Sequence, residues 1–309
     1  LTLNLALPIS VPVMMAVLTC IVIILEIFLD YATYAKMLRW LSISLLSYVL
    51  VVFFLRIPWL EVGQSLIRPE FHFHYPYLYL LVACIGTTIS PYLYFWQASE
   101  VIEEEEKGSL KKKITMMRGD TIVGMVFSNV IALSIMLVGA LLATQLGGSV
   151  DSVSELALLL EPLAGKGALT LFIVGIVSSG LLAIPVLAGS AGYALGESLG
   201  WNVGMKKKWF QAKGFNAILA AATLFGFIIN AAGFDPIDML VGSAVLNAVV
   251  AIPSLVAIMI LGNNKDLMGK LKSGWYSNIA VGFALLLLTV SVCFMAWTTI
   301  PAEAFARFF

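Results

Sequence analysis

The chain has 309 residues, 61% of them hydrophobic and 12% charged, with 18 basic and 18 acidic side chains. Apolar runs long enough to cross a bilayer recur along it, so lipid is its expected solvent and a soluble globular domain is excluded. A formal net charge of zero gives no footprint for nucleic acid, and Cys20, Cys84 and Cys293 lack the spacing of a disulfide framework or a zinc site.

In chain order, eight stretches qualify as spans, near residues 8–29, 37–57, 77–99, 119–145, 166–197, 212–233, 236–262 and 276–298. The connections between them are polar, and none has room for a soluble domain. The first span carries one carboxylate, Glu26, close enough to the span end to snorkel to the interface, which leaves it a weak functional candidate. Between the second and third spans, RPEFHFHYP holds His72 and His74. A metal-capture site would need further ligands, so a plain loop is expected.

The third span ends on GTTISPYLYFWQASE, where Gly86, Thr87, Thr88, Ser90, Pro91 and Gln97 interrupt the apolar run. Pro91 has no N–H, so the Thr87 carbonyl four residues back loses its helical donor, and Ser90 is pushed away from helical dihedrals. Unwound backbone at this depth survives only against protein or a water-filled cavity. A helix break bounded by Gly86 and Pro91 is therefore expected. The Thr87 carbonyl and the hydroxyls of Thr87, Thr88 and Ser90 become candidate cation ligands, and a half-helix beginning near Tyr92 would turn its N-terminus to the same cavity. The alternative is a simple proline kink satisfied by neighbouring helices.

Beyond this span, Glu103 to Glu106 point around a helix and read as a solvated face rather than a cation-collecting mouth. Gly175, Gly180, Gly189, Gly192 and Gly196 thread the fifth span and read as close helix packing. Fourteen of the 18 lysines and arginines fall in alternating loops, leaving only Arg56, Arg68, Lys166 and Arg307 on the other side. That asymmetry places the basic loops in the cytoplasm, at a plasma or inner membrane. Both ends then lie outside. With Leu1 as first residue and no signal peptide, the chain reads as a piece of a longer protein with further spans upstream.

The segments GTTISPYLYFWQ and EVIEEE, then DTIVGMVFSNVIA and GLLAIPVLAGSAGYALGESLGW, resemble the sixth, seventh and eighth helices of the Nramp family of divalent-metal transporters. The resemblance implies a LeuT-type fold of two inverted five-helix repeats with their first and sixth helices broken around a midplane site. Residues 1–309 would form a single transmembrane domain: 8–57 would be the last two helices of the first repeat, 77–262 the whole second repeat, and 276–298 an additional helix. The first three helices of a parent chain would be missing and would complete the site. In the family's sixth helix an alanine carbonyl and a methionine sulfur bind the metal, ahead of Pro-His; here Thr87, Ser90, Pro91 and Tyr92 stand in those places. Gln97 replaces a second family histidine, which puts proton coupling in doubt. Ala244 stands where the family has a glutamine, and Asn247, one turn on, is the candidate replacement oxygen, with an interhelical hydrogen bond as its alternative role. Asn129 resembles a family asparagine near the cavity.

The expected fold class is thus an all-α integral membrane protein, a partial LeuT-type inverted-repeat transporter with a discontinuous helix at 77–99. The expected activity is secondary-active transport of Mn²⁺, Mg²⁺ or Fe²⁺, with Thr87, Ser90 and Asn247 as ligands and Thr88, Tyr92, Gln97 and Asn129 along the pathway. The metal ion is cargo, and no cofactor is expected. No nucleophile, acid–base pair or phosphate loop occurs in the spans, which argues against an enzyme. A structural subunit, or a carrier of another small solute, is the alternative, but a structural subunit has no need of a broken polar segment within a span.

Overall fold

The computed structural model describes residues 10–28, 31–103, 110–146 and 153–299. Residues 8, 9 and 29 of the first expected span, Glu104, Glu105 and Glu106 of the acidic run, and Lys107 and Arg307 of the charge count lie outside the described residues. Lipid offers no partner for backbone N–H and C=O groups, so each apolar run satisfies them within itself as a helix. The helices are α1 (Val11–Phe28), α2 (Tyr31–Ser44), α3 (Leu46–Phe54), α4 (Trp59–Ile67), α5 (Tyr75–Thr88), α6 (Pro91–Glu103), α7 (Leu110–Leu146), α8 (Val153–Ser198), α9 (Lys213–Ala231), α10 (Pro236–Asn263), α11 (Lys265–Met268) and α12 (Trp275–Thr299). Among the described residues there is no strand, and eight segments are long and apolar enough to cross a membrane, coinciding with the eight expected spans.

Three local features depart from the sequence expectation. The second span is two helices, α2 and α3, joined at Leu45. The connection before the third span contains α4, whose Trp59, Leu60, Leu66 and Ile67 are all exposed. The loop expected ahead of the fifth span is helical from Val153, and the kink comes at Gly165, whose φ of 84° and ψ of 171° suit a residue without a Cβ.

The described residues form two compact units. The first comprises the chain up to Gln64 together with Phe95–Ala232. One of its cores joins Tyr48 and Val51 of α3, Val138 and Leu142 of α7, and Phe172 of α8. The other gathers Tyr34 of α2, Trp96 of α6, Tyr193 of α8, and Phe215 and Leu219 of α9. Of the five span glycines, Gly175 lies against Tyr48, Gly189 against Trp96, Gly192 against Phe215 and Leu219, and Gly196 against Val203. Gly180 does not follow this pattern. A side chain there would meet no atom within 4 Å, because Gly180 borders a cavity.

The second unit comprises Ser65–Tyr94 and the chain from Gly233 onward. Its core joins Val82 of α5, Ala248, Ala251 and Leu255 of α10, and Leu288 of α12. Asp235 starts α10: its carboxylate accepts from the N–H groups of Ile237 at 2.8 Å and Asp238 at 3.0 Å, and Pro236 takes the first helical position, where no donor is needed. At the other end of α10 the amides of Asn263 and Asn278 exchange hydrogen bonds of 2.9 and 2.8 Å, tying α10 to α12.

Candidate cation site at the break between α5 and α6

Within the third span, α5 stops at Thr88 and α6 starts at Pro91, so the interruption is two residues long, Ile89 and Ser90. Ile89 leaves the helix at φ −112° and ψ 77°, while its N–H still reaches the Ile85 carbonyl at 3.0 Å. The break is shorter than the sequence suggested. Gly86, Thr87 and Thr88 are helical, and Pro91 and Tyr92 form the first turn of α6. Ser90 explains the economy. Its hydroxyl, on a residue only 1% exposed, lies 3.0 Å from the Thr87 carbonyl and 3.1 Å from the Gly86 carbonyl and shares its single proton between them. The carbonyl that Pro91 deprives of a backbone donor thus receives one from the adjacent side chain.

Gly86 has a different task from the one the sequence assigned it: it does not open the helix but lets α5 and α10 touch. A Cβ at Gly86 would overlap the Ala244 carbonyl and stand 2.9 Å from the Ala248 N–H nitrogen. Ala244, Ala248, Ala251 and Leu255 form the buried stripe of α10, with the spacing of one helix face. Asn247 lies between the two alanines that seat Gly86, half-buried at the edge of that stripe. Its amide makes no hydrogen bond to another described residue. Thr87, Ser90 and Asn247 therefore belong to one unit and to one pair of touching helices.

The remaining hydroxyls are satisfied locally. Thr87 and Thr88 donate to the Cys84 carbonyl at 2.8 and 3.0 Å, and both side chains are exposed. A hydroxyl that donates its proton keeps its oxygen lone pairs, and a carbonyl that accepts one bond keeps a second lone pair. The break accordingly offers oxygen donors only, the ligand set of hard cations. Tyr92 is half-buried at the start of α6. Gln97 and Asn129 belong to the first unit: the Gln97 amide stands 3.5 Å from the Thr121 hydroxyl, and Asn129 donates back to the Met125 carbonyl of its own helix at 2.7 Å.

Two other sequence candidates resolve differently. His72 and His74 are exposed, with ring centroids 5.8 Å apart and His72 3.9 Å from the Glu70 carboxylate; no set of three His, Cys, Asp or Glu among the described residues is arranged to hold a metal. Glu26 does not snorkel. It is 5% exposed, and its Oε2 accepts from the Thr223 hydroxyl of α9 at 3.2 Å. No local pattern marks that pairing, because partners 197 residues apart meet only through the fold.

A multi-pass, all-helical membrane protein with a span broken at a cluster of oxygens is the class that these features define. The model of the natural resistance-associated macrophage protein-like family, Nramp, matches residues 1–298, and the chain belongs to that family, whose fold is of the LeuT type. It is 24% identical over 254 residues to the divalent metal cation transporter MntH of Vibrio campbellii, covering 82% of this chain and 57% of that protein. It is 25% identical over 260 residues to the protein of the same name from Clostridium acetobutylicum, again covering 82% and 57%. With the one from Klebsiella pneumoniae subsp. pneumoniae the identity is 25% over 218 residues, covering 70% and 49%. The chain spans about half the length of the curated relatives it matches.

Proposed function

We propose that this protein carries divalent metal cations across the membrane by secondary-active transport, holding the ion at the break between α5 and α6. The Thr87 carbonyl, the Ser90 hydroxyl and the Asn247 amide oxygen are the ligands, with Thr88, Tyr92, Gln97 and Asn129 along the path. The observation that carries this reading is the buried Ser90 hydroxyl, 3.0 Å from the carbonyl freed by Pro91, at a two-residue opening in a membrane span. Family membership and the names of the relatives support a transporter of divalent cations rather than an enzyme. The metal is cargo, and no resident cofactor enters the reading.

An oxygen-only donor set favours hard, hydrated ions such as Mg²⁺ and Mn²⁺ over softer ones, with Fe²⁺ between them. The distribution of lysine and arginine supports a plasma or inner membrane location with the basic loops cytoplasmic. Upstream helices of a longer parent chain supply the facing half of the site in this reading, in keeping with the 57% of the relatives' length that the match spans.

The test is ion flux and calorimetry with the full-length parent protein in proteoliposomes and detergent. Mn²⁺ and Mg²⁺ are expected to enter, and Ser90→Met is expected to move preference toward Fe²⁺ or Cd²⁺ by up to about tenfold, the worth of about one ligand contact. Tight Cd²⁺ binding that excludes Mg²⁺ and Mn²⁺ and ignores Ser90→Met would overturn the hard-ion reading.

A further inference from the structure

The connection between α8 and α9, residues 199–212, lies within the first unit and joins two membrane spans. Its charge pattern sets it apart from other basic connections. Glu103 to Glu106 precede Lys111, Lys112 and Lys113, and Asp266 stands among Lys265, Lys270 and Lys272, whereas no aspartate or glutamate occurs between Glu197 and Asp235. Lys206, Lys207, Lys208 and, at the start of α9, Lys213 are thus four positive charges with no carboxylate interspersed, and all four are exposed.

The backbone of this connection is fastened inward. The Met205 N–H donates to the buried Tyr193 hydroxyl at 3.3 Å, the Lys208 N–H donates to the Gln211 side-chain oxygen at 3.1 Å, and the Asn216 amide of α9 stands 3.4 Å from the Trp209 carbonyl. Trp201 lies over Gly214, where a Cβ would overlap its ring. With the backbone so held, the lysines project together with two aromatic rings: Trp209 is 53% exposed and Phe210 52%, and the rings meet edge to face with centroids 6.3 Å apart.

Lysines alone follow from the bias of basic residues to one side of a membrane. That bias does not account for two half-exposed rings beside them, just ahead of the span that begins at Lys213. Rings of this kind gain by entering the boundary between headgroups and hydrocarbon, and ammonium groups gain from anionic phosphates at the same level. Phe210 is three residues from Lys213, a reach of at most about 11 Å, so the segment is confined to that level.

We propose that residues 206–213 form a binding site for anionic phospholipid headgroups, with Lys207, Lys208 and Lys213 around the phosphate and the rings of Trp209 and Phe210 in the boundary below it. Charge complementarity selects this occupant. A zwitterionic lipid brings its own cation against the lysines, and a free phosphate leaves both rings in water.

The experiment titrates lipid onto the purified full-length parent protein in detergent and reads bound molecules by native mass spectrometry. The probes are dioleoylphosphatidylglycerol, its zwitterionic counterpart dioleoylphosphatidylcholine, and inorganic phosphate. Phosphatidylglycerol is expected to bind more tightly than phosphatidylcholine. Lys207→Gln combined with Lys208→Gln is expected to weaken phosphatidylglycerol binding by about tenfold or more, and Trp209→Ala combined with Phe210→Ala by about tenfold, all with melting near that of the unsubstituted protein. The same charge change at Lys270→Gln with Lys272→Gln, near Asp266, is the control and should leave binding unchanged. Equal binding of the two lipids, equal losses in the loop and control variants, or unchanged binding in either loop variant overturns the proposal. Displacement of the lipid by an equal concentration of inorganic phosphate also overturns it, in favour of a site for the free anion. If the aromatic pair does not fold, the lysine pair against its control decides alone, since all four of those lysines are exposed.

Discussion

Three prolines lie in the middle of spans, away from the first turn of the run, and they behave differently. Pro185 sits inside α8 and Pro253 inside α10, and both helices run through them, whereas Pro91 marks the end of one helix and the start of another. Each proline deletes one N–H and strands the carbonyl four residues earlier. The residues ahead of them differ: Ala183-Ile184-Pro185 and Ala251-Ile252-Pro253 against Ile89-Ser90-Pro91. Isoleucine has nothing to give a stranded carbonyl, so α8 and α10 accommodate the loss as continuous helices held by their neighbours. Serine has a donor. Its hydroxyl reaches back to the Gly86 and Thr87 carbonyls, and the backbone can then leave the helix with one shared donor in place of the missing N–H groups. Proline creates the vacancy and serine makes the break tolerable in lipid.

The largest effect expected from testing this comparison is at the seat that holds the end of α5. Gly86→Leu pushes a side chain into the Ala244 carbonyl and the Ala248 backbone, where nothing flexible can yield. Overpacking of this kind costs about 1–3 kcal/mol or more. A clear drop in Tm and loss of ion flux are expected. Gly124→Leu, on α7 with no atom within 4 Å of its added Cβ, is the control and should melt like the parent. Equal melting of the two variants would mean that close contact with α10 does not fix the break.

Next in size is Ser90→Ala. Among the described residues it removes the one side-chain donor to the part-buried Thr87 carbonyl, and an acceptor left unpaired there costs up to about 1–3 kcal/mol. Lower stability and loss of cation flux are expected for Ser90→Ala, with partial recovery of both in Ser90→Thr, which keeps a hydroxyl. If alanine matches the parent in flux, neither the repair nor the ligand role of Ser90 stands.

The eight spans and the existence of a break near Pro91 were legible in the sequence because both follow from local chemistry: apolar run length, and a proline after a cluster of hydroxyls. The extent of the break was not. Counting it from Gly86 overlooks that Gly86 packs on α10, a fact that depends on Ala244 and Ala248 more than 150 residues away. Their spacing with Ala251 is visible as a small-residue stripe, but which helix it receives is decided by the fold. Glu26 shows the same limit. Its place near a span end suggested snorkelling, and burial against Thr223 reversed that, through a contact 197 residues distant in sequence. Gly180 likewise looked like its four neighbouring span glycines until the cavity beside it became visible.

The smallest expected effect probes whether serine before proline suffices. Ile184→Ser recreates at Pro185 the Ser-Pro pair of the α5/α6 break. Ile184 is 40% exposed, so the exchange removes little packing, and the stability change should stay within about 1 kcal/mol. Ile252→Ser does the same at Pro253, from a position partly packed in the core of the second unit, and should cost somewhat more. The informative quantity is local. If a side-chain donor is what permits opening, amide exchange just after Pro185 should accelerate in Ile184→Ser by about tenfold, equivalent to about 1.4 kcal/mol in the local opening equilibrium, while exchange elsewhere in α8 is unchanged. If exchange stays at the parent rate, a serine donor alone does not open the helix, and the contact at Gly86 becomes the decisive difference. Combining Ile184→Ser with Leu182→Thr, which places a second hydroxyl three residues before the proline as in Thr88-Ile89-Ser90-Pro91, then separates hydroxyl supply from helix contact: a response of the pair implicates the donors, and its absence leaves the backbone contact of α5 with α10 as the cause.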